Sequence, residues 1–336
     1  MVPYFHKTDV DEAFYDHNIR SRIPSRIIDA HGHFSLPEHD VALTEKSHAV
    51  KWVLDSWTDM SYEDARGYAS ALFPKLSVDF VALPKPLRGV DTAGNNSYIA
   101  ALIRDKGIRG LYTPLPEEDT AQIERKYISG GFCGFKPYPY MADAVIMGEV
   151  SIFEFMPKEQ FALADKLKAA VLLHLPRAGR LADGNNISEI REILDRYPDI
   201  KLVLAHFGRC FQPMYFEKGL DLLGDDIKRL WFDTSAVISP DVYELAAGHL
   251  DRTRIIFGTD IPIMLWHGRY EWDDKGYYNI CREDFVWNKH KYPDEEAGYT
   301  YYVYEQINNT LNAFEEDKDA VENIFHRNAE NVYKGV

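Results

Sequence analysis

Short apolar, β-rich runs recur along the chain, most of them followed by a stretch that can form a helix. The runs are Arg26–His33, Val78–Pro84, Arg109–Thr113, Phe132–Lys136, Ala170–Leu175, Lys201–His206, Leu230–Thr234 and Arg254–Asp260. Between them, Phe161–Lys168, Ile187–Tyr197 and Ser239–Leu250 carry apolar residues at three- and four-residue intervals, the period of a helix with one buried face. Eight strand runs separated by helices predict an α/β fold, a (β/α)8 TIM barrel, with residues 1–336 forming one domain. Two stretches are too long for simple connections: residues 34–77 after the first run and 261–315 after the eighth. The second is crowded with aromatic residues, among them Trp266, Tyr270, Trp272, Tyr277, Phe285, Trp287, Tyr301, Tyr302 and Tyr304. In a barrel, insertions after strands 1 and 8 lie over the mouth at the C-terminal strand ends. Helices packed on the outside of the barrel, or an oligomer contact, are the other readings of the same residues.

Composition narrows the partners. Of 336 residues, 46% are apolar and the net charge is −15. An acidic surface repels nucleic acid and anionic membrane, leaving a small molecule as the expected partner and a homo-oligomer open. No apolar run is long enough to span a bilayer, and Met1–Ser25 is too polar to be a secretory signal. Cys133, Cys210 and Cys281 are odd in number and far apart, which fits a reducing, cytoplasmic setting.

The candidate chemistry starts at Ile27-Ile28-Asp29-Ala30-His31-Gly32-His33. Strand alternation puts Asp29, His31 and His33 on one face. Two imidazoles so spaced can grip one metal ion. Four further polar residues end apolar runs: Lys136, His174, His206 and Asp260. A polar group ending a buried strand is costly unless paired or ligated. Several in the same relative position suggest one shared site, because parallel barrel strands bring their C-terminal ends to one ring.

The order HxH, Lys, His, His, Asp resembles the amidohydrolase superfamily. The phrases "IIDAHGHF", "GFKPYP", "LLHLP", "LAHFG", "IIFGTDIP" and "NIFHRNAENVY" resemble its amidohydrolase-2 branch, over about residues 26–333. That branch holds decarboxylases of aromatic and unsaturated acids as well as lactonases. The resemblance implies His31, His33, His174 and Asp260 as metal ligands, with Asp260 also a catalytic base. It implies His206 as a catalytic group or a ligand of a second ion. Lys136 matches a position that bridges two ions when carbamylated, and otherwise contacts substrate. One divalent ion, zinc or manganese, is the expected cofactor, with a second ion as the rival. The implied activity is hydrolysis of a lactone, amide or ester by a metal-activated water, or alternatively non-oxidative decarboxylation.

Arginines add a substrate expectation. His174-Leu-Pro-Arg177 and His206-Phe-Gly-Arg209 each set an arginine three residues beyond a candidate site histidine, and His267-Gly-Arg269 follows soon after Asp260. Guanidinium groups bind carboxylates through a fork of two hydrogen bonds. Arg177 and Arg209 are therefore the expected substrate-binding residues for an anion. Asp233, Thr234 and Ser235 are further candidates, or simply strand-end and capping residues.

Overall fold

A computed structural model describes residues 5–41, 59–87, 89–143, 148–273, 276–285, 288 and 290–335. Its first eight strands are β1 Arg26–His33, β2 Ser77–Leu83, β3 Arg109–Gly110, β4 Gly134–Phe135, β5 Ala170–Leu173, β6 Lys201–Leu204, β7 Trp231–Asp233 and β8 Ile255–Ile256. Each falls within or beside a predicted run. All neighbours pair in parallel, in two ladders, β1-β2-β3 and β4-β5-β6-β7-β8.

Backbone hydrogen bonds join the ladders into a barrel. At one seam Tyr112 N donates to Gly134 O (2.9 Å) and Lys136 N to Tyr112 O (2.8 Å). At the other, Ala30 N donates to Phe257 O (3.0 Å), Asp260 N to His31 O (2.8 Å) and His33 N to Ile261 O (3.0 Å). This second seam binds the HxH strand directly to the Asp260 turn.

Helices follow the strands, among them Thr92–Lys106, Thr120–Gly130, Lys158–Lys166, Gly184–Arg196, Pro213–Leu223 and Pro240–His249. Three start on an aspartate whose carboxylate accepts a backbone N–H of the first turn: Asp91, Asp119 and Asp183. Gly107 and Gly131 close two of them at φ 68° and 70°, a conformation that glycine adopts without strain.

Alternate strand residues sort into two apolar clusters. Val171, Leu173, Leu202 and Leu204 pack with the helices, while Ala170, Leu172, Val203 and Ala205 pack with Ile28, Ala30 and Val81. Ala329, Val332 and Tyr333 join this second cluster, and Lys201 Nζ ties their helix to the start of β6 through Asn331 O and Val332 O. The strand starts are thus covered by apolar side chains. The polar residues that end the strands face the other way.

The insertion after β8 divides its work. Strands β9 Gly268–Asp273 and β10 Gly276–Cys281 form an antiparallel hairpin, and Tyr277 and Asn279 on it line the cavity with Trp266 and Tyr302. Tyr301 and Tyr304 are instead core residues, Tyr304 donating to Leu72 O (2.7 Å). In the helix Tyr302–Phe314, Gln306 donates to Thr234 O and Gly258 O, fastening it to β7 and β8. The insertion is therefore part mouth and part outer packing. Trp287, and residues 42–58 of the insertion after β1, lie outside the described residues.

Candidate metal centre and substrate pocket

The strand ends open into one cavity lined by His31, His33, Lys136, Tyr138, Tyr140, His174, His206 and Asp260. It continues past His174, Arg209, Phe211, Trp266 and Tyr277. His31, His206 and Asp260 each offer a ligand atom within 4.8 Å of the others. His33 joins them, its Nε2 3.0 Å from Asp260 Oδ1. The His174 ring stands edge-on to that of His206, centroids 5.3 Å apart, and its Nδ1 has no hydrogen-bond partner among the described residues.

Strand alternation does not hold at β1. Its register against β2 shifts between Asp29 and Gly32. Asp29 turns away from the cavity and accepts hydrogen bonds from Thr259 Oγ1 (2.6 Å), Thr259 N (2.9 Å) and His31 N (3.2 Å). It fixes the Asp260 turn against β1, while His31 and His33 remain at the cavity. Burial raises its carboxyl to about 6.

Three imidazoles are fixed from behind. His31 Nδ1 lies 2.6 Å from Asp233 Oδ2, His33 Nδ1 3.1 Å from Pro84 O, and His206 Nδ1 2.8 Å from Ser235 O. Each of these oxygens is an acceptor, so each Nδ1 carries the proton and each Nε2 keeps its lone pair. Tyr138 Oη donates to Pro84 O at 2.9 Å and stands 3.3 Å from His33 Nδ1. Lone pairs therefore converge: His31 Nε2 is 3.4 Å and His33 Nε2 3.0 Å from Asp260 Oδ1. Acceptors facing acceptors in a buried site call for a cation between them, and this donor set fits a divalent transition metal.

Electrostatics agree. Burial lowers His31 to about 4 and His206 below its ordinary value, so both rings are neutral, as ligands must be. Burial works to raise the Asp233 carboxyl, but the adjacent His31 and Ser235, both donating to it, hold it below the usual carboxylate range. Lys136 is buried, with no hydrogen-bond partner for Nζ among the described residues; it lies 5.0 Å from the Tyr138 ring centroid. Burial lowers its ammonium to about 8, against the pull of Asp233 and Asp260.

The backbone here departs from ordinary helix and strand. His206, Phe207, Gly208 and Arg209 have φ of 58°, 49°, 71° and 63°, a left-handed turn, and Asp260 has φ 70°. L-residues pay about 1–2 kcal/mol each in that region. His206 N donates to Asp233 Oδ1 (2.7 Å) and helps to hold the turn.

The two expected substrate arginines part company. Arg177 forms a fork with Glu189, at 2.7 and 2.9 Å, and also donates to Asn186 Oδ1. Three of its five N–H groups are engaged inside the protein and its charge is paired with Glu189, which weakens the reason for assigning it to substrate. Arg209 lines the cavity. Tyr138, Tyr140 and Arg180, none of them singled out as a site residue from the sequence, line it as well. Tyr138 falls inside the phrase "GFKPYP" beside Lys136, and Tyr140 directly follows it. Asp233 and Ser235 act behind the histidines.

The family model for amidohydrolases (Amidohydro_2) matches residues 28–335. The chain belongs to that family. Its members are enzymes. Solved structures with the same fold include one described as a probable 2-pyrone-4,6-dicarboxylic acid hydrolase from Acinetobacter baumannii with citric acid bound: 16% identical, TM-score 0.56, covering 91% of this chain and 98% of that one. A 4-oxalomesaconate hydratase from Rhodopseudomonas palustris is 14% identical, TM-score 0.54, covering 91% and 95%. A dihydroxybenzoic acid decarboxylase from Polaromonas, with manganese and 2-nitroresorcinol bound, is 13% identical, TM-score 0.53, covering 91% and 96%. No protein with a curated description matches the sequence. One fold thus carries hydrolase, hydratase and decarboxylase, so the activity has to be argued from the site.

Proposed function

We propose that this amidohydrolase is a metal-dependent hydrolase of a small, carboxylate-bearing lactone, ester or amide. The observation that carries this reading is the convergence of imidazole Nε2 atoms and a carboxylate oxygen, with the Nδ1 atoms of His31, His33 and His206 already engaged from behind. His31, His33, His174 and Asp260 would hold one divalent ion, zinc or manganese. When bound, such an ion polarises a carbonyl and acidifies a water molecule. Asp260 accepts the proton from the attacking water and passes it to the leaving group. His206, its Nδ1–H bound to Ser235 O, presents Nε2 to the reacting group. The Lys136 ammonium and Arg209 favour an anionic substrate in a protein that repels anions at long range.

The three cysteines are free and buried, which suits the cytoplasm. No helix among the described residues is long and apolar enough to cross a membrane.

A second reading is non-oxidative decarboxylation. Tyr138, Tyr140, Phe211, Trp266 and Tyr277 give the cavity walls suited to a flat ring. One experiment covers both. Metal analysis of the purified protein is followed by a screen of lactones, amides, esters and aromatic acids, recording acid release and carbon dioxide. About one ion per chain with hydrolysis supports the first reading, and carbon dioxide supports the second. Full activity in a demonstrably metal-free sample, or loss of the fold rather than of the ion in the His31→Ala/His33→Ala variant, would sink both.

A further inference from the structure

We infer that Arg180 and Arg209 form an anion subsite beside the metal pocket, which holds a substrate carboxylate other than the group being transformed. The inference builds on the functional reading above and adds the part of the substrate that lies away from the metal.

Both arginines line the same arm of the cavity, which reaches the metal pocket through Tyr140 and His174. Neither makes an ion pair among the described residues, although the protein carries 53 acidic residues against 38 basic ones. Arg180 NH1 and Arg209 Nε are shielded from solvent and lack any hydrogen-bond partner among the described residues. A buried N–H of a charged group without an acceptor is costly, and a bound carboxylate supplies the acceptor.

Both are also built into place. Arg209 NH1 donates to Leu175 O (2.7 Å) and Pro176 O (3.3 Å), which fixes it against the loop after β5. The Arg180 guanidinium lies 4.8 Å from the Tyr277 ring centroid, 5.3 Å from Phe211 and 5.5 Å from Tyr215. Its backbone is in the left-handed region, at φ 55°, held by Arg180 N donating to Arg177 O and by Asn186 Nδ2 donating to Arg180 O. The Arg177–Glu189 pair anchors this turn, which gives Arg177 a positioning role. Burial, and then the charge of Arg180, hold the Arg209 guanidinium below its ordinary value, and an anion between the two would remove that repulsion.

Benzoate and benzamide are the probes, measured by calorimetry on the metal-loaded full chain and on the metal-stripped chain. Benzoate is expected to bind both forms, more tightly than benzamide. R180M or R209M should weaken benzoate roughly ten- to a hundredfold and leave benzamide unchanged. R180K, which keeps the charge and loses the fork, should fall between. Thermal melting confirms that each variant is folded. Benzoate binding that is unchanged in folded R180M and R209M, or that disappears on metal removal, overturns the subsite. A chain that takes up no divalent metal even when zinc or manganese is supplied, but shows the arginine-dependent binding, overturns the metal-enzyme reading and leaves the subsite standing.

Discussion

His31 Nδ1 and Asp233 Oδ2 stand 2.6 Å apart, both side chains about 1% exposed, with Ser235 Oγ donating to the other Asp233 oxygen at 2.6 Å. The carboxylate sets the tautomer of the imidazole and its aim. Asp233→Asn keeps the shape but offers His31 either an N–H or a neutral oxygen. Metal affinity should fall by about 10–100-fold, read by chelator competition, with the fold retained. Unaltered affinity means that His31 needs no orienting partner.

Asp260→Asn tests the base. The amide cannot take up a proton as a carboxylate does, so turnover should drop by about 10²–10⁴-fold. Metal content has to be measured in parallel, because Asp260 is also a proposed ligand. Unchanged turnover removes Asp260 from the proton path.

Lys136 decides the ion count. With one ion, Lys136→Met should keep the metal and lose substrate binding, seen as a raised KM. Bicarbonate should make no difference to metal uptake. Two ions per chain, one of them lost with Lys136, would show a carbamylated bridge instead.

Gly258 faces β1 closely enough that a Cβ there would lie 2.7 Å from His31 Cβ and 3.1 Å from His31 N. Gly258→Ala should lower stability by about 1–3 kcal/mol and weaken metal binding together, since relief of the clash displaces His31. Stability lost without any change in metal binding would mean that β8 moves and His31 does not.

A buried pair outside the lining of the metal pocket predicts a pH window. His267 Nε2 is 3.0 Å from Asp11 Oδ2, both fully buried, and Glu283 Oε1 lies 2.8 Å from His267 Nδ1 with Arg282 also against that nitrogen. Burial disfavours the charged forms, but these contacts outweigh it: His267 is raised from its ordinary value and Asp11 is lowered to about 2. The raised histidine contributes in full below its unfolded value of about 6.5, and that contribution is lost as pH rises through the folded one. The lowered aspartate contributes in full above about 3.9, and this is lost as pH falls through about 2. The pair therefore stabilises most between these limits. Asp11→Ala should cost about 3–5 kcal/mol there, by denaturant titration, and less at pH 9. A cost that does not vary with pH would assign the pair no charge.

The barrel was legible because parallel strands buried on both faces read as plain apolar runs, and their polar last residues stood out. Lys136, His174, His206 and Asp260 all reached the cavity that way. What was hidden depends on distance along the chain. Asp233 finds His31 across 202 positions, and Asp11 finds His267 across 256. Asp29 was misread because alternation assumes a regular strand, and β1 shifts register just before the histidines. Arg177 and Arg209 looked alike at equal spacing. Only the nearby Glu189 separates them, and Arg180 carried no spacing signal at all.

The left-handed turn at 206–209 has a consequence for how this enzyme can change. Its first residue reaches into the metal pocket and its last into the anion arm, with only Phe207 and Gly208 between. Phe207 is locked against Phe216 and Tyr243, and Gly208 against Leu181. In the proposed arrangement, the distance between the reacting centre and the substrate carboxylate is therefore set by four residues of backbone that cannot stretch. A longer or shorter substrate would have to be met from the Arg180 side, by remodelling the loop after β5, while the 206–209 turn acts as a fixed ruler.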